Sequence, residues 1–211
     1  MTMTRTIGWL AATALSLAAL GAQAQTAKAP EALIKEVSTD VLDAVKADKT
    51  IQAGDIRKVI ALVDQKVLPY VNFQRMTASA VGRYWRQATP EQQKRLQDEF
   101  KLLLVRTYSG ALSQVSSEQT VELRPMRAAA TDNEVVVRTE IKGKGDPIQL
   151  DYRLEKAGDS WKIYDVNVLG VWLVENYRNS FAQEIGANGI DGLIAKMAER
   201  NKSAAAGGAK S

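Results

Sequence analysis

The chain has 211 residues, with 28 Lys and Arg against 24 Asp and Glu and no His or Cys at all. Without His, Ser-His-Asp and Cys-His catalysis and typical zinc sites are excluded, and without Cys no disulfide supports the fold in an oxidising compartment. The net charge of +4 comes without a clustered Lys/Arg patch, which argues against nucleic-acid binding.

Residues 1–24 are expected to be a cleaved signal peptide. Arg5 supplies the positive region, residues 7–20 form a short apolar run, and Ala22-Gln23-Ala24 is a small-x-small cleavage site. No Cys follows the run, so no lipoprotein anchor is expected, and no later stretch is apolar enough to cross a bilayer. The expected product is exported to the periplasm, with a flexible leader at 25–30, a single domain at 31–203 and a disordered tail at 204–211.

From residue 31 the pattern is helical, with Leu33, Val37, Val41, Ala44 and Val45 on one face. Asp48-Lys49-Thr50 breaks it. A second amphipathic helix is predicted over 55–66, carrying Ile56, Val59, Ile60 and Val63, with Val67 in register. Pro69 marks a boundary. A short helix over 70–81 ends at Gly82, and 85–88 is a connector. Thr89-Pro90-Glu91-Gln92 is a strong helix start, with a Thr cap, Pro at the first position and Gln three residues on. The long helix that follows buries Leu96, Phe100, Leu103, Leu104, Thr107, Tyr108 and Ala111.

After Ser113 the period changes to two. Val121 and Leu123 alternate with polar residues; so do Val135, Val137, Thr139 and Ile141, and then Ile148, Leu150, Tyr152 and Leu154. Ala157-Gly158-Asp159 is a hairpin turn. The last strand, 161–168, changes parity between Ile163 and Val166, which predicts a β-bulge near Tyr164-Asp165. Two helices close the chain: 170–185, with Val174, Tyr177, Phe181 and Ile185, and 190–202, with Leu193, Ile194 and Met197. The predicted fold class is α+β, with helices packed on one face of a curved four-stranded antiparallel sheet.

The stretch LPYVNFQRMTASAVGRYWRQATP, residues 68–90, is dense in large apolar groups that follow neither period for long. Together with Leu104-Val105-Arg106-Thr107-Tyr108, Trp161-Lys162-Ile163-Tyr164-Asp165-Val166, Gly170-Val171, Asn176-Tyr177-Arg178-Asn179-Ser180-Phe181 and Gly189-Ile190-Asp191-Gly192-Leu193-Ile194, it resembles the MlaC family of periplasmic phospholipid carriers, which includes toluene-tolerance proteins. The resemblance implies an apolar cavity between sheet and helices and no enzyme activity. It implies no cofactor beyond bound phospholipid as cargo. The implied partners are an inner-membrane ABC transporter with an MCE-domain subunit and an outer-membrane lipoprotein-porin complex, and the implied role is keeping outer-membrane lipid asymmetric. A monomer is expected. The alternatives are a carrier of another long apolar ligand, such as a hopanoid, and a non-lipid periplasmic adaptor. Two positions depart from the family pattern: Asn72, where Asp is usual, and Trp172, where a small Ser is usual and where Trp is expected to narrow or cap the cavity.

The candidate cavity wall comprises Tyr70, Val71, Phe73, Met76, Tyr108, Val171, Trp172 and Tyr177, joined by Val137, Leu150, Tyr152 and Val166 from the apolar sheet face, which also carries Ile141 and Ile163. Ordinary core is the competing reading for the sheet residues. Arg75, Arg83 and Arg178 are candidates for a head-group phosphate; the alternative for Arg178 is an ion pair with Asp165 or a helix carboxylate. Asp165 reads as a bulge residue that accepts backbone or Arg hydrogen bonds rather than as a catalytic acid. No catalytic or metal-binding residue is expected.

Overall fold

The structure, a computed structural model, describes residues 28–126 and 131–207, with side chains to 204. The expected signal peptide, the first part of the leader (25–27) and the end of the expected tail (208–211) lie outside the described residues. Helix α1 (Pro30–Ala47) has Pro in its first turn, where a missing N–H leaves no bond unmade. It buries Leu33, Ile34, Val37, Leu42 and Val45. Asp48 then accepts from the Thr50 N–H and caps a one-turn helix, α2 (Lys49–Gln52), so the break at 48–50 is a cap between helices.

Helix α3 (Ile56–Leu62) is capped by Asp55. The helix expected over 55–66 does not stay α-helical: Val63–Val67 widens into a π-helical turn and Leu68–Tyr70 tightens into a 3-10 turn. Pro69 has no N–H to continue the ladder and its ring crowds the preceding turn, so the chain leaves α geometry before reaching it. Asn72 caps α4 (Phe73–Val81), its Oδ1 accepting from the Arg75 N–H at 3.0 Å. A 3-10 turn, Gly82–Gln87, leads to α5 (Pro90–Tyr108). The capping box of α5 is complete, with the Thr89 and Gln92 side chains each accepting the other's backbone N–H. A further 3-10 turn, Ser109–Gln114, carries the chain to the sheet.

The sheet is antiparallel in the order β1 (Thr120–Leu123), β2 (Glu134–Lys142), β3 (Ile148–Ala157), β4 (Ser160–Val168), β5 (Val171–Trp172). It has five strands, not the expected four. The fifth is two residues long, too short to leave an alternation, and is turned back by Leu169 and Gly170, both with positive φ. The β3–β4 connection is the two-residue turn at Gly158-Asp159, with Gly158 at φ 61°. Arg153 faces Asp165 and Leu154 faces Ile163, so Tyr164 is the extra residue of a bulge.

Helix α6 (Leu173–Gly207) holds both closing helices as two arms that meet at Gly189, which adopts φ 71°, ψ 179°. The second arm runs into the stretch expected to be a disordered tail, because Ala204-Ala205-Ala206 are strong helix formers. No described helix is long and apolar enough to cross a membrane. The fold is the α+β arrangement the sequence pattern predicts, with helices laid on the apolar face of an open sheet.

Packing falls into three clusters. Leu33, Ile34 and Val37 of α1 lie on Val135, Val137, Leu154 and Ile163. Helices α4, α5 and both arms of α6 close around Phe100, which meets Tyr177 and Phe181 edge-on at 5.0 and 5.2 Å. The end of α1, α2, α3 and the far end of α5 share Val45, Ile51, Val59 and Leu62.

Candidate functional site

The three clusters leave a cavity of about 370 Å³ between them, and Val71 and Val166, which pack against both the α1–sheet cluster and the Phe100 cluster, form part of its wall. The inner sheet face is thereby divided. Its half around Val135, Val137, Leu154 and Ile163 is covered by α1 and is solid. The other half presents Ile141, Ile148, Leu150, Val166 and Val168 to the cavity. Opposite them stand Val63 and Val67 of the π-helical turn, Leu68 and Val71, Phe73 and Met76 of α4, and Leu104, Val105 and Tyr108 of α5. Ala111, Leu112 and Val115 close one end and Leu173 another. Among the described residues, Lys101, Gln114 and Gln119 are the only lining residues without an apolar or aromatic side chain.

Lys101 marks a place where the wall meets water. Its stem lines the cavity while its Nζ pairs with Asp64 Oδ1 at 2.9 Å, and both side chains keep partial solvent access. Burial pushes the Tyr108 phenol above the ordinary range. The wall thus offers dispersion and dry surface almost throughout, with one cation where it reaches solvent. Among the described residues no group of three or more His, Cys, Asp or Glu is placed to hold a metal ion.

Of the candidate wall residues, Val71, Phe73, Met76, Tyr108, Leu150 and Val166 line this cavity. The other six do not. Val137 is fully buried in the solid half of the sheet under α1, and Tyr152 beside it is drawn to α1 by a 3.3 Å hydrogen bond with Ser38. Tyr70 packs into the same cluster, because the 3-10 turn at 68–70 aims it toward α1's side of the sheet. Tyr177 fills the aromatic core around Phe100. Val171 is 48% exposed at the sheet edge. Trp172 pairs with Asn167, and the Arg153 guanidinium lies 3.9 Å over its ring, so it neither narrows nor caps the cavity.

The residues that the core reading hid are Lys101, Leu104 and Val105. Helix α5 carries two apolar stripes: Leu96, Phe100 and Leu103 point into the α4–α6 core, while 101, 104, 105 and 108 follow i, i+3, i+4, i+7 and point into the cavity. That second stripe is visible in the sequence once the first is subtracted.

The candidate head-group arginines lie away from the cavity. Arg75 stands on the far side of α4 from Phe73 and Met76; its guanidinium pairs with Glu134 at 2.6 Å and with Glu155, and covers the Tyr164 ring at 3.7 Å. That pairing holds the Glu134 carboxyl below the usual carboxylate range. Asn72 joins the network by donating Nδ2 to Glu155 at 2.6 Å, which a carboxylate at that position would be unable to do. Arg83 lies over Tyr84 and donates to its hydroxyl at 2.9 Å. Arg178 donates Nε to the Ser79 carbonyl at 3.1 Å, not to Asp165. The partner of Asp165 is Arg153, at 3.0 Å, and Asp165 also accepts the Val166 and Val174 N–H groups. Burial is the larger influence on its carboxyl and pushes it above the ordinary range, against those three donors.

The chain is similar to known proteins over most of its length. Residues 35–199 match the family model described as MlaC protein. The chain is 27% identical over 195 residues to the toluene tolerance protein ttg2D of Pseudomonas putida, covering 89% of this chain and 90% of that one. It is 26% identical over 172 residues to the intermembrane phospholipid transport system binding protein MlaC of Haemophilus influenzae, covering 80% of each. Among solved structures, the phospholipid-binding protein of Ralstonia solanacearum, determined in complex with a phospholipid, is 48% identical, has a TM-score of 0.79, and is matched over 83% of this chain and 98% of that one. The family match spans most of the chain and the solved structure shares its fold: this chain belongs to the MlaC family.

Proposed function

We propose that the cavity takes the acyl chains of a phospholipid and that the protein is a periplasmic carrier rather than an enzyme. In this reading it exchanges lipid with an inner-membrane ABC transporter bearing an MCE-domain subunit and with an outer-membrane lipoprotein-porin complex, keeping the outer membrane asymmetric. The observation that carries the reading is the wall itself, apolar on every side except at Lys101 and two glutamines. A diacyl lipid carries about thirty methylenes, each contributing ~0.8 kcal/mol when removed from water. Enclosing half of them supplies about 12 kcal/mol before the cost of ordering the chains, so binding needs little from the head group. Burial of the acyl chains sets which end of the lipid faces water, and Lys101, paired with Asp64, marks where the wall meets solvent.

The test is native mass spectrometry of gently purified mature protein, with solvent extraction of whatever stays bound. One phospholipid per chain is expected. Leu104 lies at the edge of the Phe100 cluster and borders the cavity, so Leu104→Trp has the void to grow into. If it displaces about four methylenes it costs ~3 kcal/mol, on the order of 200-fold in lipid affinity, with the circular dichroism spectrum unchanged. Protein that stays empty after exposure to membranes sinks the reading, and a neutral polycyclic lipid in place of a phospholipid overturns its cargo.

A further inference from the structure

The stretch at 82–87, GRYWRQ, contributes nothing to the cavity wall. It forms instead, with α4 and the first arm of α6, a surface groove of about 820 Å³. Arg75, Arg83, Arg86 and Arg178 all line this groove, and among the described residues no carboxylate does. Other surface cations stand beside anions, as in Lys94–Asp98, Lys142–Glu122 and Lys144–Glu118, or are scattered singly; what sets the groove apart is four arginines in one concave lining. Arg75 is occupied at the groove's edge by Glu134 and Glu155. Among the described residues no ion pair engages Arg83, Arg86 or Arg178; the contacts of Arg83 and Arg178 are to a tyrosine hydroxyl and a backbone carbonyl. A chain whose net charge is only +4 therefore gathers four arginines in one concave place and leaves three of them without a countercharge.

The geometry points to a docking site for an acidic segment of a partner protein. Guanidinium forks match carboxylates two bonds at a time, which lysines do not. Arg set beside Tyr84 and Trp85 is the side-chain mixture that concentrates binding energy at protein interfaces. The shape separates the two anionic candidates: a groove admits a protruding chain segment, whereas a bilayer surface is too flat to enter it. The site is separate from the cavity, because Phe73 and Met76 face the cavity while Arg75, Ala78 and Ser79 face the groove from the other side of α4. Docking and cargo are thereby carried on opposite faces of one short helix.

The test uses the full mature chain, labelled with nitrogen-15 and titrated with an amidated oligoglutamate peptide. Amide shifts are expected around the groove and weaken with salt. The pair Arg83→Glu, Arg86→Glu weakens binding by about tenfold or more. The pair Arg57→Glu, Lys144→Glu makes the same change of net charge at exposed positions outside the groove and changes affinity less than about twofold. If the glutamate variant does not fold, Arg83→Gln, Arg86→Gln carries the comparison. Equal losses in both pairs, shifts spread over the whole surface, or binding to phosphatidylglycerol vesicles without binding to the peptide each overturn the proposal. Lipid content, weighed in the same samples, is expected to stay unchanged, so a failure of the cavity reading is seen separately.

Discussion

Asp165 shows how much a single residue depends on its strand. It is 1% exposed and accepts from Arg153 and from two backbone N–H groups, one of which opens α6. Asp165→Ala removes the acceptor of the buried Val174 N–H and of the half-buried Val166 N–H, and leaves Arg153 without its closest carboxylate. Arg153 retains Glu175 and some solvent, so the expected loss is about 2–4 kcal/mol. Urea denaturation measures it, and a variant as stable as the parent contradicts the account. The sequence pattern identifies Asp165 as a hydrogen-bonded bulge residue but leaves its cation open, with Arg178 as a candidate. Arg153 meets it only because Tyr164 is inserted into β4 and brings the two side chains opposite each other. Composition does not encode that shift. The same holds for Trp172, whose place beside Arg153 follows from β5, a strand of two residues.

Among the elements, those with chemical punctuation are readable from sequence and those without it are not. The Thr89 capping box, the Gly158-Asp159 turn and the alternations of β2 and β3 each follow from a local rule. The π-helical turn at 63–67 does not, since its side chains keep an amphipathic pattern while the backbone under them widens. Such turns gather at functional sites, and this one contributes Val63 and Val67 to the cavity. The bend in α6 is readable in part: Gly189 stands between two apolar stripes, and at φ 71°, ψ 179° it occupies a region essentially restricted to glycine. A Cβ there meets no atom within 4 Å, so Gly189→Ala is penalised by the backbone alone. The expected cost is about 1–3 kcal/mol, lowering Tm by roughly 3–10 °C. A thermal melt checks it; an unchanged Tm means that the second arm, with Leu193, Ile194 and Met197, seats equally well at another angle.

At the scale of the molecule, the cavity is the space that three well-packed clusters leave unfilled between them, and that is the least legible feature in the sequence. Periodicity marks which side chains leave water but not whether another side chain fills the space opposite. Leu104 and Tyr108 carry the same signal as Phe100, yet they border a void and Phe100 has a full shell of neighbours. The irregular stretch at 68–90 hints at the cavity but divides between two tasks, with 68–76 on the cavity side and 82–86 on the arginine groove. The solid half of the sheet and the aromatic core are packed by the chain's own side chains, so in the proposed reading lipid is free to leave without unfolding the protein. Compression exposes what is left behind. Voids vanish when a chain unfolds, and the volume lost, ordinarily about 20 to 100 mL/mol, grows with the void. A space of about 370 Å³ puts the empty chain at the upper end of that range or beyond it. Delipidated protein is therefore expected to unfold at markedly lower hydrostatic pressure than loaded protein, in a fluorescence-monitored pressure titration, and equal midpoints rule that out. The carrier would then be a pressure-sensitive body whose stiffness is supplied by its passenger.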